Sequence, residues 1–600
     1  MNLHTPSNTY DTDVIIIGGG PVGLALAAEL GWRNNRCILL EQSDGIVKHP
    51  KMDGIDLRVM EFCRRWGLID DMKNFSFPTN YPQDMVYVTS LAGYELGRES
   101  FAVPSGGAEI KNDGPSPETR IRCPQNFFDP ILRKFADSFN SVSLRFNSKY
   151  LSFEEKDNGV HVQYENVLTG DKQTITGRYL VACDGANSIV REQLNIGFHG
   201  VGLHNYTTNV MFRCDDLFAY HDKRPGYRWL FIGPEGTYGT MSAINGRNEW
   251  RAQLFNDEKR KLSNEEIEAY LERMIGKPCD YEIISVLHWA RRELVADKYN
   301  LGRIFMAGDA CHATSPTGGF GMNTGIKDAI DLAWKLDATI KGWAGNNLLD
   351  TYDIERRPSG ARAVREASGN WRRMMSPGYN PQLLNPDYEG ALVRYEVGRR
   401  FSATMLREWY KLGIDLGYTY KDSPLCWPDN SPDVLDEIIQ LSEIPAEDLP
   451  HGILSDGTRI NATNLREWQR LSVHLNESTS INVEWEELTP AEVMVYRQTS
   501  KPGSRAPHVW LENGKSTLDW YGKGFVLLIL DNEIPDTSNF VKIASECGLP
   551  VELIQCNEKD VARIYKRKLV LIRPDGHVAW RGNQWPSKGV KALIDRVRGA

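Results

Sequence analysis

Apolar positions along the chain fall into short β-branched runs alternating with helical stripes, a pattern that predicts a layered α/β protein. Residues 12–17 form a buried-type strand that ends in three glycines and a proline. A helical pattern over 22–32 and a second apolar run over 37–40 complete a βαβ unit. Residues 126–138 read as a helix with Phe127, Ile131, Leu132 and Phe135 on one face. A strand is expected through 179–183. Alternation at 211–214 and 250–255 predicts that 205–285 is antiparallel sheet, one wall of a cavity. A strand at 304–307 leads into a glycine-rich loop and helices over about 325–340 and 348–375. Residues 75–120 are turn-rich, without helical periodicity, and the Pro-rich segments 377–386 and 424–432 read as connectors.

The last hundred residues carry a pattern of their own. Strands are expected at 525–531 and 551–556 with a helix at 538–547 between them. Two further strands flank Asp575-Gly576, and a closing helix covers 588–598. This β-α-β-(α)-β-β-α order resembles a thioredoxin-like fold without the C-x-x-C that redox activity needs.

Six hundred residues suggest about four domains at ~150 residues each. With 41% hydrophobic and 25% charged residues the chain is neither disordered nor fibrous. The balance of 70 basic against 79 acidic residues gives −9, which argues against a nucleic-acid binder working by bulk electrostatics. The start of the chain is polar and carries no secretory pattern, and its apolar runs are too short to span a membrane. A soluble, cytoplasmic protein is expected. Ten cysteines are scattered without C-x-x-C, and twelve histidines form no metal-binding pair, so neither disulfides nor a metal are expected.

Gly18-x-Gly20-x-x-Gly23 lies between the first strand and helix, and Glu41 ends the second strand. The first glycine permits a tight turn, the second lets the backbone approach a pyrophosphate, and the third lets helix and strand pack closely. The helix N-terminus presents free N–H groups to that pyrophosphate, and Glu41, with Gln42 beside it, is placed to meet the ribose hydroxyls. The motif predicts a dinucleotide site but leaves NAD and FAD open.

Two further segments separate them. Leu180-Val-Ala-Cys-Asp184-Gly185-Ala-Asn-Ser188-Ile-Val-Arg191 resembles the Asp-Gly motif of flavoprotein monooxygenases. Gly302 to Asn323, containing Gly308-Asp309 and Pro316-Thr-Gly318-Gly319-Phe-Gly321-Met322-Asn323, resembles their second flavin motif. With Asp328 to Leu336 continuing the match, the chain is identified as a member of the single-component FAD-dependent aromatic hydroxylases. The resemblance implies a Rossmann-type FAD-binding fold interleaved with an antiparallel-sheet substrate domain. The FAD parts fall at about 1–75, 121–198 and 299–400, and the substrate parts at about 76–120 and 199–298. It further implies non-covalent FAD, contacted by Asp184, Asp309, Pro316, the glycine loop and Gln125. NADH or NADPH would be a transient co-substrate, and O2 would give a flavin C4a-hydroperoxide that attacks a phenol.

Pro50-Lys-Met-Asp53-Gly-Ile-Asp-Leu-Arg58 resembles the stretch of phenol hydroxylases that places an aspartate beside the substrate hydroxyl. Asp53 is therefore the candidate polarising group, beside the plain alternative of an Asp-Gly turn. Where those relatives place an arginine and a tyrosine on a sheet strand, this chain has Glu249 and Arg251. Arg251 becomes a candidate partner for an acidic or larger substituent. Residues 502–525 resemble the linker and thioredoxin-like domain, expected at 501–600, of the phenol, chlorophenol and phenylpropionate hydroxylases. Residues 401–500 are expected to link it to the rest. The resemblance implies a homodimer acting on a small aromatic compound in catabolism, or alternatively a tailoring oxygenase acting on a polycyclic polyketide. A non-catalytic FAD protein is the remaining reading.

Overall fold

The computed structural model describes residues 10–78, 80–100, 114–203, 205–256, 260–429 and 488–600. Its first sheet is built around Thr12–Ile17, which pairs in parallel with Cys37–Leu40 on one side and Lys172–Ala182 on the other. Val142–Arg145 and Ile304–Met306 extend the parallel run outward. The inner strands are buried on both faces, as parallel strands covered by helices must be. Helices Pro21–Trp32 and Gly321–Ile340 close one side, and Val14, Ile16, Leu26, Leu39, Val181 and Ile330 share the core.

The second sheet has seven strands in the order 282–290, 206–213, 249–255, 236–243, 228–233, 85–88 and 95–99. Neighbours are antiparallel except Arg228–Gly233 and Met85–Val88, which run parallel. The two sheets thus draw alternately on the chain, the interleaving anticipated for an FAD-dependent hydroxylase. Their strands come from 12–40, 142–182 and 300–306 for the first, and from 85–99 and 206–290 for the second.

Three expectations are corrected. Residues 85–99, read as turns, form the last two strands of the second sheet, Met85–Val88 and the edge strand Glu95–Glu99, which are too short for a clear alternation in the sequence. Asn264–Ile275, inside a stretch read as sheet, is a helix opened by a Ser263–Glu266 capping box and closed by left-handed Gly276. Tyr388–Trp409, absent from the sequence reading, is a 22-residue helix. Its Val393, Val397, Phe401, Met405 and Trp409 recur every fourth residue and pack on the second sheet. Residues 430–487, most of the expected linker, lie outside the described residues.

The C-terminal sheet has the order 551–555, 525–529, 569–572 and 578–582, with the first pair parallel and the others antiparallel. Helices at 538–546, 559–565 and 589–597 complete the β-α-β-α-β-β-α order expected from the sequence. Phe525 and Leu527 pack on Trp334, Ala338 and Trp343, so Trp334 serves packing. Buried Arg573 adds ion pairs to Glu355 (2.6 Å) and Asp331 (3.2 Å). No helix among the described residues is long and apolar enough to cross a membrane.

Candidate active site

Strand register assembles the site. Ile17 stands opposite both Leu40 and Ala182, and Ala182 opposite Met306, so four chain segments leave the sheet at the same edge. The residues just beyond these ends are Gly18, Glu41 and Asp184, with Asp309 a little further on, and all line one cavity of about 990 Å³. Ligands of open α/β sheets bind beyond the carboxyl ends of the strands for this reason.

Gly18 has φ +105°, and a side chain there would meet the Cys183 carbonyl at 2.3 Å. Gly23 does not line the cavity; a Cβ on it would lie 2.0 Å from the Gly18 carbonyl, so it serves helix–strand packing. At Gly20 and Gly319 a Cβ would meet nothing within 4 Å, which leaves the backbone open toward the cavity. Helix Pro21–Trp32 has no side-chain cap, and neither does helix Gly321–Ile340, which begins four residues earlier than its sequence pattern indicated. Their first N–H groups are free for an anion or a carbonyl-rich ring edge.

Glu41 accepts from Gly19 N–H (2.7 Å) and Ser43 N–H (2.8 Å), which fixes its carboxylate at the cavity wall beside Gln42. Gln125 accepts from Lys51 N–H (3.0 Å) and donates to Asp129 (2.9 Å), holding the loop before Asp53. Burial raises the Asp184 pKa although hydrogen bonds oppose it, and its Oδ1 is buried without a partner. Burial also raises that of Asp309, against His312 and Lys51. An orphaned carboxylate oxygen, an open glycine cradle and two uncapped helix ends together fit a dinucleotide. Pro316, Gly318, Gly321 and Met322 line the same space. Asn323 does not line it; its amide donates to Gly319 and Gly54 carbonyls and accepts from Asp56 N–H, positioning the loop.

Across the cavity Asp53 meets Arg251 at 3.2 Å and Arg122 at 3.5 Å. Burial alone would raise the Asp53 pKa, but Arg251, Arg122 and Arg228 outweigh it and hold the carboxyl below its ordinary range. Arg251 also donates to the Pro50 carbonyl (2.8 Å), fastening the Asp53 loop to the sheet. Glu408, at the end of the unanticipated helix, accepts from Gly318 N–H (3.1 Å) and Arg228 (3.3 Å). Burial raises its pKa. Sequence reading missed Arg120, Arg122, Arg228 and Glu408. The Arg-Ile-Arg alternation at 120–122 was the available signal, since residues two apart share a strand face.

Cys311, His312 and Asp328 form a compact buried group, but Asp328 is occupied by His312 (2.7 Å) and Arg356 (2.8 Å). Burial drives the Cys311 pKa well up, which leaves it a packing thiol.

Residues 11–367 match the family described as FAD binding domain, and residues 499–600 match the one described as aromatic-ring hydroxylase, C-terminal. The chain belongs to the FAD-dependent aromatic-ring hydroxylases, the class A flavin monooxygenases. This hydroxylase is 30% identical to FAD-dependent monooxygenase apdD of Emericella nidulans, over 97% of this chain and 89% of that protein. It is 27% identical to 2,4-dichlorophenol 6-monooxygenase of Cupriavidus pinatubonensis, over 98% and 96%. Among solved structures, the rebeccamycin biosynthetic enzyme RebC with reduced flavin aligns at a TM-score of 0.81 and 32% identity, covering 98% of this chain and 99% of that one. The hydroxylase thus resembles both a dichlorophenol monooxygenase and a rebeccamycin biosynthetic enzyme.

Proposed function

We propose that this protein hydroxylates a phenolic aromatic compound, using NADH or NADPH as a transient reductant of non-covalently bound FAD and O2 as the oxygen source. The observation that carries this reading is one cavity holding both the flavin loop 318–322 and the Asp53–Arg251 pair. Bound and reduced, FAD supplies activated oxygen. The chain's own groups bind and orient. Glu41 and the helix start at Pro21 hold the dinucleotide, and the N–H groups opening helix Gly321–Ile340 favour negative charge on a ring set against them. Asp53, kept ionised by its arginines, accepts a hydrogen bond from the substrate hydroxyl and aligns the ring. Its depressed proton affinity makes it an acceptor rather than the final resting place of the proton.

The test is a panel of phenols assayed for stimulated NAD(P)H oxidation, with products identified. Asp53→Asn should reduce hydroxylation more than flavin reduction; equal loss of both would remove Asp53 from substrate alignment. A second reading, tailoring of a polycyclic polyketide or related product, is supported by the room in the cavity and by Tyr206, Trp289 and Trp409 along its wall. Stimulation by polycyclic phenols alone would favour it.

A further inference from the structure

Cys214 and Cys279 bring their sulfurs to 4.0 Å, although they lie 65 positions apart in the chain. Strand register accounts for the approach. Strands Tyr206–Arg213 and Glu282–Ala290 are antiparallel neighbours, with Arg213 opposite Glu282. Cys214 directly follows the first strand, and Cys279 lies shortly before the second. The Cys214 N–H donates to the Asn248 carbonyl (2.9 Å), which fixes the backbone on one side. On the other side, left-handed Gly276 ends helix Asn264–Ile275 and turns the chain toward the sheet. The two thiols lie outside the cavity. The strand partners Tyr206 and Ala290, and Asn209 and Leu287, line the cavity toward the other end of the same two strands.

Packing accounts for Cys214, which is 2% exposed and belongs to the core of the second sheet. It does not require a second thiol near the surface. Cys279 is half-buried and lines a surface depression of about 270 Å³ with Tyr220, Lys277, Asp280 and Tyr281, so a small oxidant reaches it. Burial, with Cys214 beside it, pushes the Cys279 thiol up to about 12, and burial raises that of Cys214 as well. Thiolate is therefore scarce at neutral pH, and a first oxidation at Cys279 is slow. Proximity favours the second step, because an oxidised Cys279 finds its partner sulfur already in reach. Side-chain rotation has only to close the remaining gap to a bond.

We propose that Cys214 and Cys279 are a reversible dithiol–disulfide pair, oxidised by hydrogen peroxide, that staples the outer end of the second sheet. The Cys279 thiolate attacks one peroxide oxygen and becomes a sulfenic acid; the O–O bond breaks, and the departing hydroxide takes up a proton as water. The Cys214 sulfur then attacks the Cys279 sulfur, the S–O bond breaks, and the Cys214 proton leaves with that oxygen as a second water. Two thiols are thus oxidised by two electrons while one peroxide is reduced to two waters. The bond closes a 65-residue loop that holds strands Arg228–Gly233, Gly236–Ala243 and Glu249–Phe255. The test incubates FAD-loaded enzyme with hydrogen peroxide and, separately, with diamide, denatures it in excess alkylating reagent and maps the peptides by mass. Most chains should yield a linked pair of peptides carrying Cys214 and Cys279, lighter by two hydrogens than the free peptides. Dithiothreitol should remove the link, and Cys279→Ser should never form it while keeping parental FAD content. The oxidised parent should melt about 4 °C or more above its reduced form, and Cys279→Ser should show no such rise. Both cysteines still alkylated after both oxidants, Cys279 driven to a sulfinic acid without a link, or linked chains that melt no higher than reduced ones would each overturn the proposal.

Discussion

Replacing Gly20 by alanine separates FAD binding from folding more cleanly than any other single change at the site. Gly20 has φ −74° and ψ 180°, a conformation alanine adopts freely, and its added methyl would meet no protein atom within 4 Å. The apo fold should therefore be unharmed, or stabilised by about 0.4–1 kcal/mol through the unfolded chain. The methyl instead enters the cavity where the pyrophosphate must approach the backbone. Losing one or two charge-assisted hydrogen bonds there, at about 1.5–3 kcal/mol each, weakens FAD binding roughly 100-fold. The assay is thermal unfolding with and without FAD. At a concentration about 100 times the parental Kd, FAD stabilises the parent by about 2.7 kcal/mol. A 100-fold weaker variant gains about 0.4 kcal/mol at the same concentration. Gly23→Ala is the contrasting control. Its methyl would lie 2.0 Å from the Gly18 carbonyl, a backbone atom that cannot swing away, so the apo protein itself should lose about 2 kcal/mol or more. A Gly20→Ala protein with the parental FAD response would refute the assignment of this loop to the pyrophosphate.

Three further outcomes are expected. Arg505→Met should lower stability by about 3 kcal/mol in denaturant unfolding, because buried Glu61 loses one of its two arginines, and Glu61→Gln in the same chain should recover part of it. Burial lowers the His577 pKa to about 4 from an ordinary 6.5, so the folded protein keeps it neutral while the unfolded chain takes up a proton. Its contribution, about 3 kcal/mol, is full above pH 6.5 and is lost as pH falls toward 4. His577→Phe should flatten the fall of melting temperature across that window. Glu41→Ala removes the acceptor for Gly19 and Ser43 N–H and should weaken FAD retention in dialysis; unchanged retention would count against the ribose role.

The parts of the site that were legible from sequence are those where a local motif carries the geometry. Gly18, Gly20, Glu41, Asp184 and Asp309 belong to strand ends, and a parallel sheet brings strand ends together whatever the intervening chain does. Gly23 and Asn323 were grouped with the cofactor contacts because motif membership alone cannot distinguish a residue that touches ligand from one that packs behind it. The arginine group was hidden for another reason. Arg228 and Arg251 come from two strands of the second sheet, Arg122 from a short strand paired with Gly54–Ile55, and Glu408 from a helix more than 150 residues further on, so their proximity appears only in the folded chain. The helix was missed although its every-fourth-residue stripe was present, since Pro377 to Pro386 directly before it carried the stronger loop signal.

Net charge argued only against nucleic-acid binding by bulk electrostatics, and its local distribution says more. The chain as a whole carries −9, yet its cavity is lined by nine Lys and Arg against six Asp and Glu, a local surplus of three. A surplus inside a concave, partly desolvated space focuses the field on whatever enters, and distant surface carboxylates are screened from it. The pyrophosphate of a dinucleotide supplies about two negative charges, at one per phosphate. The same count explains why Asp53 stays ionised. With arginines in excess around it, taking up a proton would worsen the imbalance, which suits the carboxylate to the hydrogen-bond-accepting role proposed for it.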